Sequence, residues 1–165
     1  MRLPEITPLS AIYPASSFPE FRRVQGTNFP VAELLFDAAA DEWAYWQLPA
    51  LDYSSGNLTV TIEWYAVNAT SGTVTWQVRL GAITPETDTQ DVETKALATL
   101  NYVQDTHLGT TSKRLHRCTV TLSNLDSLAN LDAIWLGISR DADGTNAADS
   151  MANDAAFVRA IVSYS

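Results

Sequence analysis

Cysteine is nearly absent: Cys118 is the one example in 165 residues. No internal disulfide can form, so a scaffold built on disulfides is excluded. Histidine is scarce as well, with His107 and His116 only. Those three residues cannot make up the full tetrahedral set of a structural zinc site. Basic residues are outnumbered, 10 Lys and Arg against 19 Asp and Glu, for a net charge of -9. A protein that grips a phosphate backbone needs the opposite balance, so nucleic acid is not an expected partner. No run is long and apolar enough to span a bilayer as a helix, and no membrane partner is expected. Met1-Arg2-Leu3-Pro4-Glu5 lacks the basic-then-apolar pattern of a secretion signal. With the lone cysteine, this leads us to expect synthesis in a reducing cytosol. There is no phosphate-cradling glycine loop, no G-x-S-x-G and no H-E-x-x-H. We therefore expect no cofactor, no metal ligand set, no catalytic residues and no enzyme activity.

What is present is alternation. Leu58, Val60, Ile62 and Trp64 alternate with Thr59, Thr61, Glu63 and Tyr65, and Val74, Trp76, Val78 and Leu80 alternate with Thr73, Thr75, Gln77 and Arg79. Strand side chains point to opposite faces in turn, so each run has one apolar and one polar face. The short Asn68-Ala-Thr-Ser-Gly72 link predicts an antiparallel hairpin. Further strands are predicted at 33–37, 42–48, 92–103, 115–123, 132–140 and 155–164. In the last, Val158, Ala160 and Val162 would oppose Arg159. Turn-forming stretches separate them, and eight short strands so spaced suggest a sandwich or a barrel. No clear amphipathic helix emerges.

Residues 1–32 differ. Pro4, Pro8, Pro14, Pro19 and Pro30 supply five of the seven prolines, which removes backbone donors and disfavours helix. We expect an extended proline-rich N-terminal arm at 1–32 and a folded domain at 33–165. The arm is too apolar for a solvated tail. Its Leu3, Ile6, Leu9, Ile12, Tyr13, Phe18 and Phe21 are candidate contacts to a neighbouring chain, with Arg22 and Arg23 adding polar contacts. Charge is uneven in the remainder. Residues 34–112 carry ten acids against Arg79 and Lys95, whereas 113–140 carry Lys113, Arg114, Arg117 and Arg140 against two acids. Lys113, Arg114 and Arg117 are thus candidate inter-subunit contacts.

Other constellations are weaker. Asp141-Ala-Asp143-Gly-Thr-Asn146 resembles the first half of a calcium loop, but Gly144 comes too early. His116 and Cys118 share a strand face without a third group to orient them. Asp41, Glu42, Asp52 and Glu63 are acids that sequence cannot pair across a cleft, as glycoside hydrolysis requires. Trp43 and Trp46 take opposite faces of one strand, so one of them could be exposed to stack on a sugar ring.

Phe36-Asp-Ala-Ala-Ala-Asp-Glu-Trp-Ala-Tyr-Trp-Gln-Leu-Pro49, Tyr53-Ser-Ser-Gly56, Ile62-Glu-Trp-Tyr-Ala66, Gly72-Thr-Val-Thr-Trp76 and Leu136-Gly-Ile-Ser-Arg-Asp-Ala-Asp143 resemble a jelly-roll domain of small structural proteins in tailed bacteriophages. The resemblance covers about residues 34–164, not the arm. It implies an all-β, eight-stranded antiparallel jelly-roll β-sandwich. It also implies a virion structural protein: a capsid decoration (cement) protein that binds the major capsid protein lattice on the outer capsid surface. Such proteins sit as homotrimers and stabilise the head, which makes self and the major capsid protein the expected partners. The protein would be made in the bacterial host cytoplasm. The alternative that the resemblance leaves is a head-fibre, tail or adsorption protein binding host-surface glycans through Trp43 or Trp46.

Overall fold

The computed structural model describes residues 2–50 and 52–164, with residues 2–4 described by backbone alone. Ten strands are found among them: β1 (Arg2–Ile6), β2 (Glu20–Gln25), β3 (Pro30–Phe36), β4 (Glu42–Pro49), β5 (Leu58–Ala66), β6 (Thr73–Ile83), β7 (Asn101–Thr106), β8 (His116–Leu122), β9 (Ala133–Arg140) and β10 (Ala155–Tyr164). Every pairing is antiparallel. One sheet runs β2-β3-β10-β5-β8, with β1 also paired to β10, and the other runs β4-β9-β6-β7. The chain is an all-β sandwich of two antiparallel sheets.

The hairpin expected at 58–80 does not form. β5 pairs with β8 and β10, and β6 with β7 and β9, so the two runs lie in opposite sheets. Each has an apolar face, and both faces are buried fully by setting one against the other. The connecting loop crosses the sandwich, and Gly72 makes the crossing possible. Its φ is +109°, and a Cβ there would lie 2.9 Å from Met151 Cα. Only glycine adopts that backbone so close to another chain segment.

Trp64 and Trp76 meet edge-on in the core, with ring centroids 6.3 Å apart. Phe36 and Phe157 pack on Trp76, and Trp46 on Phe157. The strand at 155–164 carries a bulge between Phe157 and Arg159. The bulge puts Phe157, not Val158, on the inner face with Ala160 and Val162, because one extra residue inverts the alternation. The strand expected at 92–103 is confined to Asn101–Thr106. Residues 92–100 instead form an irregular segment over the second sheet, held by Ala98 N–H donating to Leu80 O at 2.7 Å.

The N-terminal segment is woven into the sandwich rather than standing off it. β1 extends the edge of β10 where β3 leaves it: β3 pairs with residues 155–157 and β1 with residues 160–163. A 3-10 turn at Pro8–Ser10 follows. Ile12 then exchanges backbone bonds with Tyr45 on β4, and Ser17 O accepts from Trp43 N–H. The chain returns to the first sheet as β2. The buried indole of Trp46 donates to Thr7 O at 2.9 Å, pinning this segment to the core. These contacts cover the outer edge of β4, an edge that would otherwise be an open template for pairing.

Candidate functional surfaces

Four surfaces bear on function: the outside of the N-terminal segment, the outer face of each of the two sheets, and the acidic loop end. Of the arm residues, Ile6 is buried in the core and therefore faces no neighbour. The side chain of Leu3 lies outside the described residues. Leu9, Ile12, Tyr13, Phe18 and Phe21 are exposed, Leu9 by 74%. Pro8, Leu9, Ala11, Tyr13 and Phe21 line one groove of about 280 Å³. Phe18 continues the patch, its ring 5.5 Å from that of Tyr13. Proline spacing and the 3-10 turn produce this: the backbone is bonded inward, and the large side chains have only the outside left.

The outer face of the first sheet carries a cross-strand charge ladder. Glu33, wholly buried, accepts from Arg22 Nε at 2.9 Å and from the Tyr65 hydroxyl. Register sets Ala156 of β10 between Tyr65 and Leu35, so the Tyr65–Glu33 bond runs diagonally across β10. Burial, and then the hydrogen bond to Glu33, hold the Tyr65 phenol far above its usual range. Glu63 accepts from Arg159 Nε at 2.6 Å and from Arg117. Arg159 in turn donates to Glu5 on β1 at 3.0 Å. The hydrogen bond from Arg159, more than that from Arg117, holds the Glu63 carboxyl below the ordinary carboxylate range. Arg22 and Arg117 are therefore matched within their own chain. Arg23 and Lys113 are exposed, and Arg114 donates to Leu108 O at 3.2 Å.

The outer face of the second sheet is aromatic. Register places Trp43 beside Ser139 and Gln77, Tyr45 beside Gly137 and Arg79, and Gln47 beside Trp135 and Gly81. Trp43 and Tyr45 stack with centroids 6.1 Å apart. The Arg79 guanidinium lies 3.8 Å from the Trp43 centroid, and its Nη2 donates to the Tyr45 hydroxyl at 2.5 Å. Gly137 is required under this stack, since a Cβ there would meet the Tyr45 ring at 2.7 Å. Beside it, Tyr45, Trp135, Lys95 and Leu97 border a cleft of about 160 Å³. Trp46, named with Trp43 as a candidate glycan contact, is 1% exposed. Its parity carries it into the core, which removes it from any sugar-binding face. Alternation along β4 puts Trp43 and Tyr45 on one face, but sequence reasoning missed Arg79 and Trp135, which come from two other strands whose register only pairing sets.

Cys118 and His116 do not form a nucleophile pair. Burial pushes the Cys118 thiol far up, and burial together with His107 lowers His116. His116 stacks on Trp64 at 4.8 Å and its Nε2 accepts from Leu108 N–H, which is the environment of a packed, neutral imidazole. Of the four acids considered for hydrolysis, Glu63 is locked by arginines, Glu42 accepts from Asp37 N–H, and Asp41 joins Asp141 and Asp143.

No protein-family model matches this chain, and no curated protein matches it. Among solved structures it is similar to a carbohydrate-binding module specific for non-crystalline cellulose, at 9% identity and a TM-score of 0.48, covering 93% of this chain and 84% of that one. It is also similar to a chain from work on the promiscuous specificity of carbohydrate-binding modules of the β-sandwich superfamily, at 8% identity and a TM-score of 0.45. That match covers 93% of this chain and 54% of the other, so this chain spans about half its length. Neither likeness is close enough to carry a function across.

Proposed function

We propose that this chain is a non-catalytic virion structural protein, a capsid decoration protein that clamps the outer surface of the major capsid protein lattice as a homotrimer. The strand order β3-β10-β5-β8 facing β4-β9-β6-β7 supports reading the sandwich as a jelly roll, with β1 and β2 as additions from the N-terminal segment. The observation that carries the function is the apolar patch of Leu9, Tyr13, Phe18 and Phe21 on a segment whose backbone is otherwise fixed. Monomeric proteins rarely leave such groups clustered outside unless something covers them. A shell subunit is the occupant we assign, because burial of this patch at a standard interface of about 1,600 Å² is repeated by symmetry over the lattice, which multiplies a modest contact.

Substitution of the exposed positions is the test. Leu9→Ser with Phe21→Ser is expected to shift the unfolding midpoint by less than about 4 °C, since neither side chain belongs to the core. The same pair is expected to weaken co-sedimentation with undecorated phage heads by at least about tenfold, the loss of one or two interface anchors. Full attachment by the double variant would overturn the role of this surface.

A second reading rests on the Trp43–Tyr45–Arg79 stack, which is a flat aromatic platform beside an open cleft, suited to a sugar ring. On this reading the chain is a head-fibre, tail or adsorption protein. Binding on a glycan array that Trp43→Ala abolishes while the midpoint stays within about 4 °C is the expected outcome. An array without signal would exclude it.

A further inference from the structure

The turn between β3 and β4 and the loop after β9 bring three carboxylates together. One oxygen each from Asp41, Asp141 and Asp143 lies within 4.8 Å of the other two. The backbone sets each of them. Asp41 Oδ1 accepts from Asp143 N–H at 3.3 Å, and Asp143 Oδ1 accepts from Thr145 N–H at 2.8 Å. Asp141 Oδ2 accepts from Asn146 and Ala147 N–H at 2.8 and 2.9 Å. Asp141 itself is 0% exposed, and its Oδ1 is buried with no hydrogen-bond partner among the described residues. A buried, half-unsatisfied carboxylate beside two more is costly unless a cation answers it. The adjacent Arg140 does not: its guanidinium is directed to Asp149, Met151 and Asn153.

We propose that Asp41, Asp141 and Asp143 form a binding site for one divalent cation of the calcium class, joining the β3–β4 turn to the β9–β10 loop. The spacing is suitable: oxygens about 2.4 Å from a shared ion lie at most about 4.8 Å apart. Calcium accepts irregular oxygen sets completed by carbonyls and water, whereas magnesium demands a near-ideal octahedron. The loop departs from the EF-hand order, and the site gains its third carboxylate from a different turn, so the motif in the loop alone was incomplete. The ion would add to a contact already present, Ala38 N–H donating to Asp154 at 3.2 Å. This inference is independent of the virion reading.

The experiment uses the full chain freed of metal with EDTA, then titrated with CaCl2, MgCl2 or NaCl at matched ionic strength. CaCl2 is expected to give a saturable one-site heat and to raise the unfolding midpoint by about 5 °C when well above its Kd. Asp143 is exposed, so Asp143→Asn folds; it is expected to weaken calcium binding at least about tenfold and, in EDTA, to match or exceed the parent midpoint. No saturable heat with CaCl2, a midpoint shift no larger than that with NaCl, a preference for MgCl2, or an undiminished calcium response in Asp143→Asn would each overturn the proposal.

Discussion

At the scale of single residues, Arg140 is the most exacting position. It is 0% exposed, and its side chain holds both oxygens of Asp149, at 2.9 and 2.8 Å, with Asn153 O at 2.9 Å and Met151 O at 2.5 Å. Asp149 also accepts from Thr75 and Met151 N–H. The fourteen-residue loop between β9 and β10 is thus folded around one guanidinium, whose planar fork suits bidentate pairing. Arg140→Ala leaves the buried Asp149 carboxylate with two backbone donors but no counter-charge, and takes the guanidinium donor from the Asn153 and Met151 carbonyls. We expect a loss of about 3–5 kcal/mol, measured by equilibrium urea unfolding. Arg140→Lys should fall between the two, since it keeps the charge and loses the fork. An Arg140→Ala loss under about 1 kcal/mol would show that the loop is held by other means. The sequence displayed Arg140 only as one of several basic residues, because nothing in its spacing marks it as buried.

At the scale of elements, the ladder on the first sheet gives its outer face a pH dependence. It links β1, β10, β5 and β8 through Glu5, Arg159, Glu63 and Arg117. The folded-state value of Glu63 lies below its unfolded value. Its contribution is therefore present above the unfolded value, near pH 4.3 (, an approximate reference), and is lost as pH falls through the lower folded value. Both arginines are partly exposed, so solvent screening keeps the contribution to about 1–2 kcal/mol. Glu63→Gln should lower the midpoint at neutral pH, and the gap between the two proteins should close on acidification. Midpoints recorded from neutral to strongly acid solution check this; a gap that stays constant or widens toward acid would contradict it. Alternation placed Glu63 on the polar face. It could not show that this face is buried at its centre, because burial there comes from long side chains of neighbouring strands.

At the scale of the whole molecule, the N-terminal segment changes the experiment that tests it. Residues 1–32 were expected to form an extended proline-rich arm ahead of a folded domain at 33–165. Ile6, Pro8 and Pro19 are buried, β2 pairs with β3 over six residues, and Trp46 is bonded to Thr7. Deleting residues 1–28 is therefore expected to destabilise the sandwich by more than about 5 kcal/mol, most of the margin of an ordinary domain. Circular dichroism during heating would show it as a loss of cooperative unfolding. A truncated protein that melts like the parent would mean that residues 33–165 stand alone. For this reason the patch on Leu9 and Phe21 is tested by substitution and not by truncation.

Local pattern by itself determined that the chain is all-β, where most of the strands from 33 onward lie, and that Trp64 and Trp76 are core, because side-chain alternation is a property of the backbone alone. Tertiary structure decided what alternation does not encode. It set the two central runs in opposite sheets, since two apolar faces are buried more fully against each other than side by side. It inverted the β10 alternation through a one-residue bulge, sent Trp46 inward and Trp43 outward into a stack with Arg79, and turned the leading segment into edge strands. It also gathered Asp41 with Asp141 and Asp143 from turns a hundred residues apart. Each of these depends on which strands become neighbours, and that is fixed by the packing of the whole core, not by any single stretch of the chain.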